Sequence, residues 1–548
     1  MKGTGNIGLG SYKYKDRDFF AFPMATRHVF VRDATGLVRN ISGVDAFLAC
    51  IGFLAVPLGL FTYTSAIYLF PGSDPVLATV IATVFSLFVS LMYTLFAWAM
   101  PRAGGDYVFM SRSLHPSLGF IFNGHLMIWY LVSTVFYTAG ITTFAIAPSL
   151  LILGTVTGNQ SLIGSANTLS APLNVTIVGT VLIAIMVLVL LTGVRPTFKL
   201  TNVLVILSFI GYATMLWLLA ANTNANFIQL FNKFASYQGM IQAAHSAGFS
   251  PSSPTPFSQT LGITYFIFLT TGFGIATSYY AGEVKSVKRT LMISQILPTL
   301  LIGILLAVLG GLAVRDFGYD FLGSVWFLSS TSSSQYPFSV PPFWGLFVSM
   351  LTDNPAVLWL IAVTWTAAVI SAIPPIFTAV SRSFFAWSFD RILPTKFATV
   401  NQKYGSPTYS VILIGVIAEV ALILSNYTSF LTFAAGVGIA FMIAFIFVAI
   451  AAIVFPFTRK DIYSNSIAKI NLGPVPLITL AGVVSLVWYV TMLYFLLSNP
   501  LYGANIPPTW LAIGATLVVP LVVYVGAYFY RKKQGLDLSL ALKEIPPE

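Results

Sequence analysis

Gly52, Pro57 and Gly59 fall inside one apolar run, Ile51-Gly52-Phe53-Leu54-Ala55-Val56-Pro57-Leu58-Gly59, and Thr270-Thr271-Gly272-Phe273-Gly274 interrupts a later run in the same way. The chemistry open to such residues is that of the backbone. Proline removes an amide donor and clashes with the preceding turn, and glycine leaves the backbone accessible. In a lipid interior every freed N–H and C=O needs a partner, and a polar ligand or ion can be one. Val56, Pro57, Leu58 and Gly59, with Thr270, Thr271, Gly272, Phe273 and Gly274, are therefore candidate ligand-binding positions. The competing reading is a pair of ordinary kinks, since Gly and Pro are common in membrane helices.

Side-chain chemistry of the catalytic kind is absent from the pattern. His28, His115, His125 and His245 are dispersed, and there is no H-E-x-x-H or G-x-S-x-G segment, so the sequence predicts neither an enzyme nor a metal or other cofactor. Cys50 is the single cysteine, which excludes an intramolecular disulfide and a cysteine-cluster metal site.

The elements that must carry these breaks are helices in lipid. The chain is 57% hydrophobic and only 8% charged over 548 residues, against about 25% charged in a soluble domain. Apolar runs long enough to cross a hydrocarbon core of about 30 Å recur at 43–69, 74–100, 118–152, 173–193, 200–221, 259–281, 291–314, 355–387, 408–426, 428–455, 474–498 and 509–530. The fold class predicted is an all-α integral membrane protein of about twelve transmembrane helices. The net charge of +11 does not point to nucleic acid, because all but Lys233 and Arg315 of the 27 Lys and Arg residues fall in the tails and alternate connections of this span count. That bias predicts a multi-pass plasma-membrane protein with both termini cytoplasmic and the lipid bilayer as its solvent partner. The amino-terminal tail has no apolar core of the signal-peptide kind. The polar connections 222–258 and 315–354 are expected to cap the outer mouth.

Three cytoplasmic segments carry a family resemblance. Met100-Pro101-Arg102-Ala103-Gly104-Gly105-Asp106-Tyr107 resembles the P-x-x-G-G-x-Y signature of the amino acid–polyamine–organocation permeases. Gly282-Glu283-Val284-Lys285-Ser286-Val287-Lys288-Arg289-Thr290 is similar to their E-E-V-K-N-P-K-R-T, and Arg382-Ser383-Phe384-Phe385-Ala386-Trp387-Ser388-Phe389-Asp390-Arg391-Ile392-Leu393-Pro394 to R-x-F-F-A-x-S-x-[DE]-x-x-L-P. The resemblance implies the five-plus-five inverted repeat of the leucine transporter fold, here 43–221 and 259–455 around the loop 222–258. Two further helices lie in 456–530, between tails 1–42 and 531–548. It also implies a substrate site between helices 1, 3, 6 and 8, which adds Tyr130, Ser133 and Thr134 of the third span. The function implied is secondary transport of an amino acid or amine by alternating access. A membrane-embedded sensor is the alternative, with a channel behind it.

Asp106, Glu283 and Asp390 are expected to face Arg102, Arg289, Arg382 and Arg391 on neighbouring loops as a gate whose ion pairs form and break. Three positions depart from the family pattern. Its G-x-G triplet in helix 1 falls on Val56-Pro57-Leu58, where Pro57 has no N–H, leaving the amides of Leu58 or Gly59 for a substrate carboxylate. Pro374-Pro375 interrupts the eighth span. Ser208 stands where some members carry a lysine in helix 5, so a coupling proton or sodium ion is left open. Glu419, a carboxylate deep in a span, and His125, which can titrate near neutral pH, are functional candidates by type, with packed helix contacts the preferred reading. None of the candidate positions of the binding site is charged, which predicts a neutral or zwitterionic substrate.

Overall fold

The computed structural model describes residues 39–249, 257–401, 403–428, 436–536 and 538. Lys2, Lys13, Lys15, Arg17, Arg27, Arg32 and Lys543, counted above for topology, lie outside the described residues, as do 250–256 of the first long connection. The helices are α1 (Gly43–Phe53), α2 (Val56–Leu69), α3 (Pro75–Ala99), α4 (Asp106–Ser113), α5 (Pro116–Gly140), α6 (Ala147–Thr157), α7 (Gln160–Leu169), α8 (Pro172–Leu191), α9 (Val194–Ala221), α10 (Asn224–Phe231) and α11 (Tyr237–Ser246). They continue with α12 (Phe257–Thr271), α13 (Val287–Phe317), α14 (Tyr319–Ser330), α15 (Trp344–Ser349), α16 (Pro355–Ile370), α17 (Ile373–Phe389), α18 (Thr408–Tyr427), α19 (Val437–Thr458), α20 (Lys460–Ser464), α21 (Leu477–Ser498) and α22 (Pro507–Lys533).

Among the described residues, eleven helical stretches are long and apolar enough to cross a membrane. The apolar run that drops out is 259–281. Its α-helix, α12, stops at Thr271, and the chain continues as a turn through Gly272–Ile275 and two short 3₁₀ segments, Ala276–Tyr279 and Ala281–Glu283. The other runs match helices to within a few residues, except that the tenth begins at Val437 rather than 428, with 429–435 outside the described residues. The bundle faces lipid. On α8, Leu173, Ile177, Val181, Ile185 and Leu188 recur every three or four residues and are all exposed, an apolar stripe that water would not tolerate.

The first span starts with a capping box: Ser42 Oγ accepts from the Asp45 amide at 3.2 Å, and Asp45 accepts in return from the Ser42 amide. Such a cap is worth about 1 kcal/mol. The span then breaks at Ala55, whose φ of 48° is left-handed, at a cost of about 1–2 kcal/mol for a residue with a Cβ. Pro57 sits in the first turn of α2, where a missing N–H costs nothing. The same logic disposes of Pro374-Pro375. They occupy the first turn of α17, after a turn at Ser371-Ala372.

Spans five apart in sequence pack on each other: α3 on α13, α5 on α17 and α8 on α18. Two five-span repeats would pair in this way. Between α3 and α13 the contact is close and polar. Gly303 leaves room for Thr83, Ser90 and Thr299 hydroxyls meet at 2.9 Å, and Thr94 donates to Gln295 at 2.8 Å. Small residues and hydroxyl pairs of this kind hold helices together where lipid supplies no hydrophobic drive. The connections expected to be loops contain α10, α11, α14 and α15, joined by aromatic packing such as Tyr237 stacked on Phe321 at 4.4 Å.

Candidate functional site

The two helix breaks come together. Gly59 on α2 lies so close to α12 that a Cβ there would stand 3.1 Å from Thr270 Oγ1 and 2.8 Å from Leu306 of α13. Beside this junction a cavity of about 680 Å³ runs from mid-bundle to the end of the molecule marked by Ser170, Pro341, Asn426 and Tyr502. Its floor is aromatic. Phe53, the last residue of α1, meets Tyr130 of α5 edge-on at 5.6 Å, and Phe273, in the break after α12, lies 6.0 Å from Tyr130 and 5.4 Å from Phe441 of α19. Leu58, Phe61, Ser133, Tyr265 and Leu269 form part of the wall. None of the described residues lining the cavity is charged.

Of the candidate binding positions, Leu58, Tyr130, Ser133 and Phe273 line this cavity. Pro57 and Leu58 line a much smaller neighbouring one. The remainder face the protein. Val56 is buried, Thr134 Oγ1 donates to Leu131 O at 2.7 Å, and Thr271 meets Ser86 at 2.9 Å. Thr270 Oγ1 is buried against Gly59. Gly272 lies beneath Phe268, whose ring a Cβ would approach to 2.3 Å. Gly274 faces α3 and α13, where a Cβ would come within 1.9 Å of Thr299 Oγ1. Glu419 accepts from Thr180 on α8 at 2.6 Å, and both His125 ring nitrogens are engaged, by Thr516 and Ala440 O.

Below the floor the bundle is shut. The irregular stretch after α12 is clamped by backbone bonds: Ile41 N to Glu283 O at 3.0 Å, Lys285 N to Ile41 O at 3.1 Å and Gly104 N to Tyr279 O at 3.0 Å. Arg382 of α17 grips Glu283 with two parallel bonds, Nε to Oε1 at 2.7 Å and Nη2 to Oε2 at 3.0 Å, both side chains being buried. Bidentate charge-assisted pairs of this geometry are among the stronger hydrogen-bonded contacts. Asp390, at the end of α17, accepts from Arg112 Nη2 and Tyr107 OH, each at 2.7 Å.

This differs in part from the expected gate. Glu283 pairs with Arg382 and Asp390 with Arg112, while Asp106 accepts from the Tyr279 hydroxyl at 2.5 Å rather than from a guanidinium. The cause is the Gly104-Gly105 turn. Both glycines have positive φ, 105° and 47°, and Gly105 packs on the Tyr279 ring, which rolls Asp106 into the bundle. Arg102 Nη1 donates to Pro101 O, Arg391 O accepts from Arg531, and Arg289 is exposed. Burial pushes the Asp106 carboxyl up to about 6, although its hydrogen bond from Tyr279 holds it down. Sequence reasoning does not reach Phe53, Phe441, Tyr279 or Arg112. Tyr107 alone among the missed groups had a signal, as the last residue of the P-x-x-G-G-x-Y segment.

Residues 41–525 match a family model described as amino acid permease. No curated protein matches the chain.

Proposed function

The chain belongs to the amino acid permease family, a multi-pass membrane transporter, and we propose that it moves a neutral or zwitterionic amino acid, or a related small amine-bearing molecule, across the plasma membrane by alternating access. The observation that carries this reading is the pairing of an uncharged, aromatic-floored cavity at the breaks of helices 1 and 6 with a buried Glu283–Arg382 pair on the far side of that floor. An isolated ion would be costly to bury in such a lining, whereas a zwitterion can place its carboxylate at the amino-terminal end of α2, beside Leu58, and its ammonium against hydroxyl and carbonyl oxygens. Phe53, Phe273 and the ring of Tyr130 then contact the side chain. Of Val56, Pro57, Leu58 and Gly59, Leu58 lines the cavity, and it is the residue of that segment we assign to substrate, although its own N–H already donates to Ala55 O at 2.9 Å. Thr270, Thr271, Gly272 and Gly274 act by shaping the break.

The end bearing Arg102, Arg112, Glu283 and Arg382 is assigned to the cytoplasm by its basic connections, which puts both termini there. In this state the cavity opens outward and the cytoplasmic side is closed. Residues 43–221 and 259–455 act as the two repeats that rock against each other. Uptake of a panel of labelled amino acids by purified protein in liposomes, with and without proton and sodium gradients, tests the reading. Saturable uptake of neutral amino acids supports it; binding without flux would instead support a sensor.

A further inference from the structure

Among the described residues, three buried carboxylates lie at the closed end, and two are held by guanidinium groups: Glu283 by Arg382 and Asp390 by Arg112. Asp106 is the exception. It is buried, and the groups facing it are phenols: Tyr279 from the 3₁₀ segment at 2.5 Å, Tyr93 from α3, and more distantly Tyr130 from α5 and Tyr489 from α21. The described cations of the elements around α4 make other contacts, Arg102 among them through Pro101 O. Arg112 is on Asp390, Arg382 on Glu283 and Arg459, after α19, on Asp461, while His115 engages Ser117 and His125 engages Thr516 and Ala440 O. The line of hydroxyls does not end at Tyr279. Its OH lies 3.2 Å from Tyr130 OH, and Tyr130 is part of the cavity floor.

We propose that Asp106 is a proton-binding site wired through Tyr279 and Tyr130 to the cavity floor, so that its protonation state sets whether the floor offers a hydrogen-bond acceptor or a donor to the substrate. This rests on the transport reading for the identity of the ligand, though not for the proton site itself. An ionised carboxylate only accepts. Tyr279 must then donate to Asp106, its oxygen accepts from Tyr130, and the remaining lone pair of Tyr130 is left as an acceptor suited to an ammonium group at the floor. Once Asp106 is a carboxylic acid it can donate to Tyr279, both hydroxyls reverse, and Tyr130 presents its O–H instead. Protonation follows the same line. A hydronium ion in the cavity gives its proton to the Tyr130 oxygen while Tyr130 passes its own to Tyr279 and Tyr279 passes its own to Asp106 Oδ2. Both tyrosines end neutral, water is left behind, and the carboxylate becomes the acid. Because linkage is reciprocal, an amine-bearing substrate that prefers the acceptor state displaces the proton from Asp106.

The test has two arms on purified full-length protein. Infrared titration between about pH 4 and pH 8 follows the carbonyl stretch of protonated carboxylic acids. A band that titrates in the wild type, is missing in Asp106→Asn and moves in Tyr279→Phe supports the site, even if no amino acid binds, in which case it is the transport reading that fails. In the second arm, equilibrium binding of labelled neutral amino acids is compared at about pH 7.5 and pH 5. Affinity is expected to fall several-fold on acidification in the wild type and to be flat in Asp106→Asn and in Tyr279→Phe, which keeps the carboxylate but cuts the relay. Absence of the titrating band, its persistence in Asp106→Asn, or an unchanged pH dependence of binding in Tyr279→Phe would overturn the proposal.

Discussion

Glu283 and Arg382 face each other through two parallel hydrogen bonds of 2.7 and 3.0 Å, with side-chain exposures of 1% and 4%. Glu283 ends the irregular half of the sixth span and Arg382 lies within α17, so the pair fastens that irregular stretch to α17 on the side away from the cavity. Removing one partner of a buried pair leaves the other charge uncompensated, at about 3–5 kcal/mol. Glu283→Gln is therefore expected to weaken the closed inner side and slow uptake strongly while leaving substrate affinity within about twofold, because the cavity floor is untouched. Uptake and binding measured on protein of matched folded yield check this.

Gly272→Leu should behave in the opposite way. The added side chain meets the Phe268 ring rather than open space, so Phe268 or the break itself must shift, and overpacking of this kind costs about 1–3 kcal/mol. The turn that carries Phe273 moves with it, and substrate affinity falls. Retained affinity in Gly272→Leu together with lost affinity in Glu283→Gln would reverse the two roles.

Asp106 gives the protein a stability that depends on pH. Its carboxyl sits at about 6 against an ordinary value of 3.8, so the folded protein holds the proton more tightly than the unfolded chain. The contribution is fully present below about pH 4 and is lost as pH rises through about 6, amounting to roughly 3 kcal/mol over that window. Thermal unfolding of the detergent-solubilised protein should show this loss in the wild type and not in Asp106→Asn. Equal pH profiles for the two would contradict the burial argument.

Orientation is testable because Cys50, the one native cysteine, is buried. Cysteines placed at the exposed positions Ser334 and Asn401 should differ in intact cells. Ser334→Cys is expected to react with an impermeant thiol reagent and Asn401→Cys to react only after permeabilisation. The reverse order would invert the topology.

Much of the scaffold is legible in the sequence because lipid imposes a simple rule: uncharged runs of about 20 residues become helices. The breaks at Pro57 and Gly272 are legible for a related reason, since Pro and Gly punctuate such runs. The residue that bears the left-handed turn is not. Ala55 carries no signal for positive φ, yet it bears the left-handed turn between α1 and α2. Pro374-Pro375 shows the converse limit, because a proline pair reads the same whether it kinks a helix or begins one. The site is less legible than the fold. Gly274 reads as a ligand-facing position but packs on Thr299 and Ser90. The pairing of Asp390 with Arg112, and of Asp106 with Tyr279, depends on how two positive-φ glycines turn α4, which no spacing rule encodes.

In the proposed cycle, substrate held above the aromatic floor reaches the cytoplasm only when the Glu283–Arg382 closure opens. The most direct measurement is uptake by the Glu283→Cys/Arg382→Cys double variant in liposomes, which removes both partners and so leaves no buried charge unpaired, before and after bridging the two thiols with a reducible bifunctional reagent. Bridging is expected to stop uptake while substrate binding from the cavity side persists, and reduction is expected to restore uptake. Uptake that continues at the same rate with the bridge in place would contradict the account.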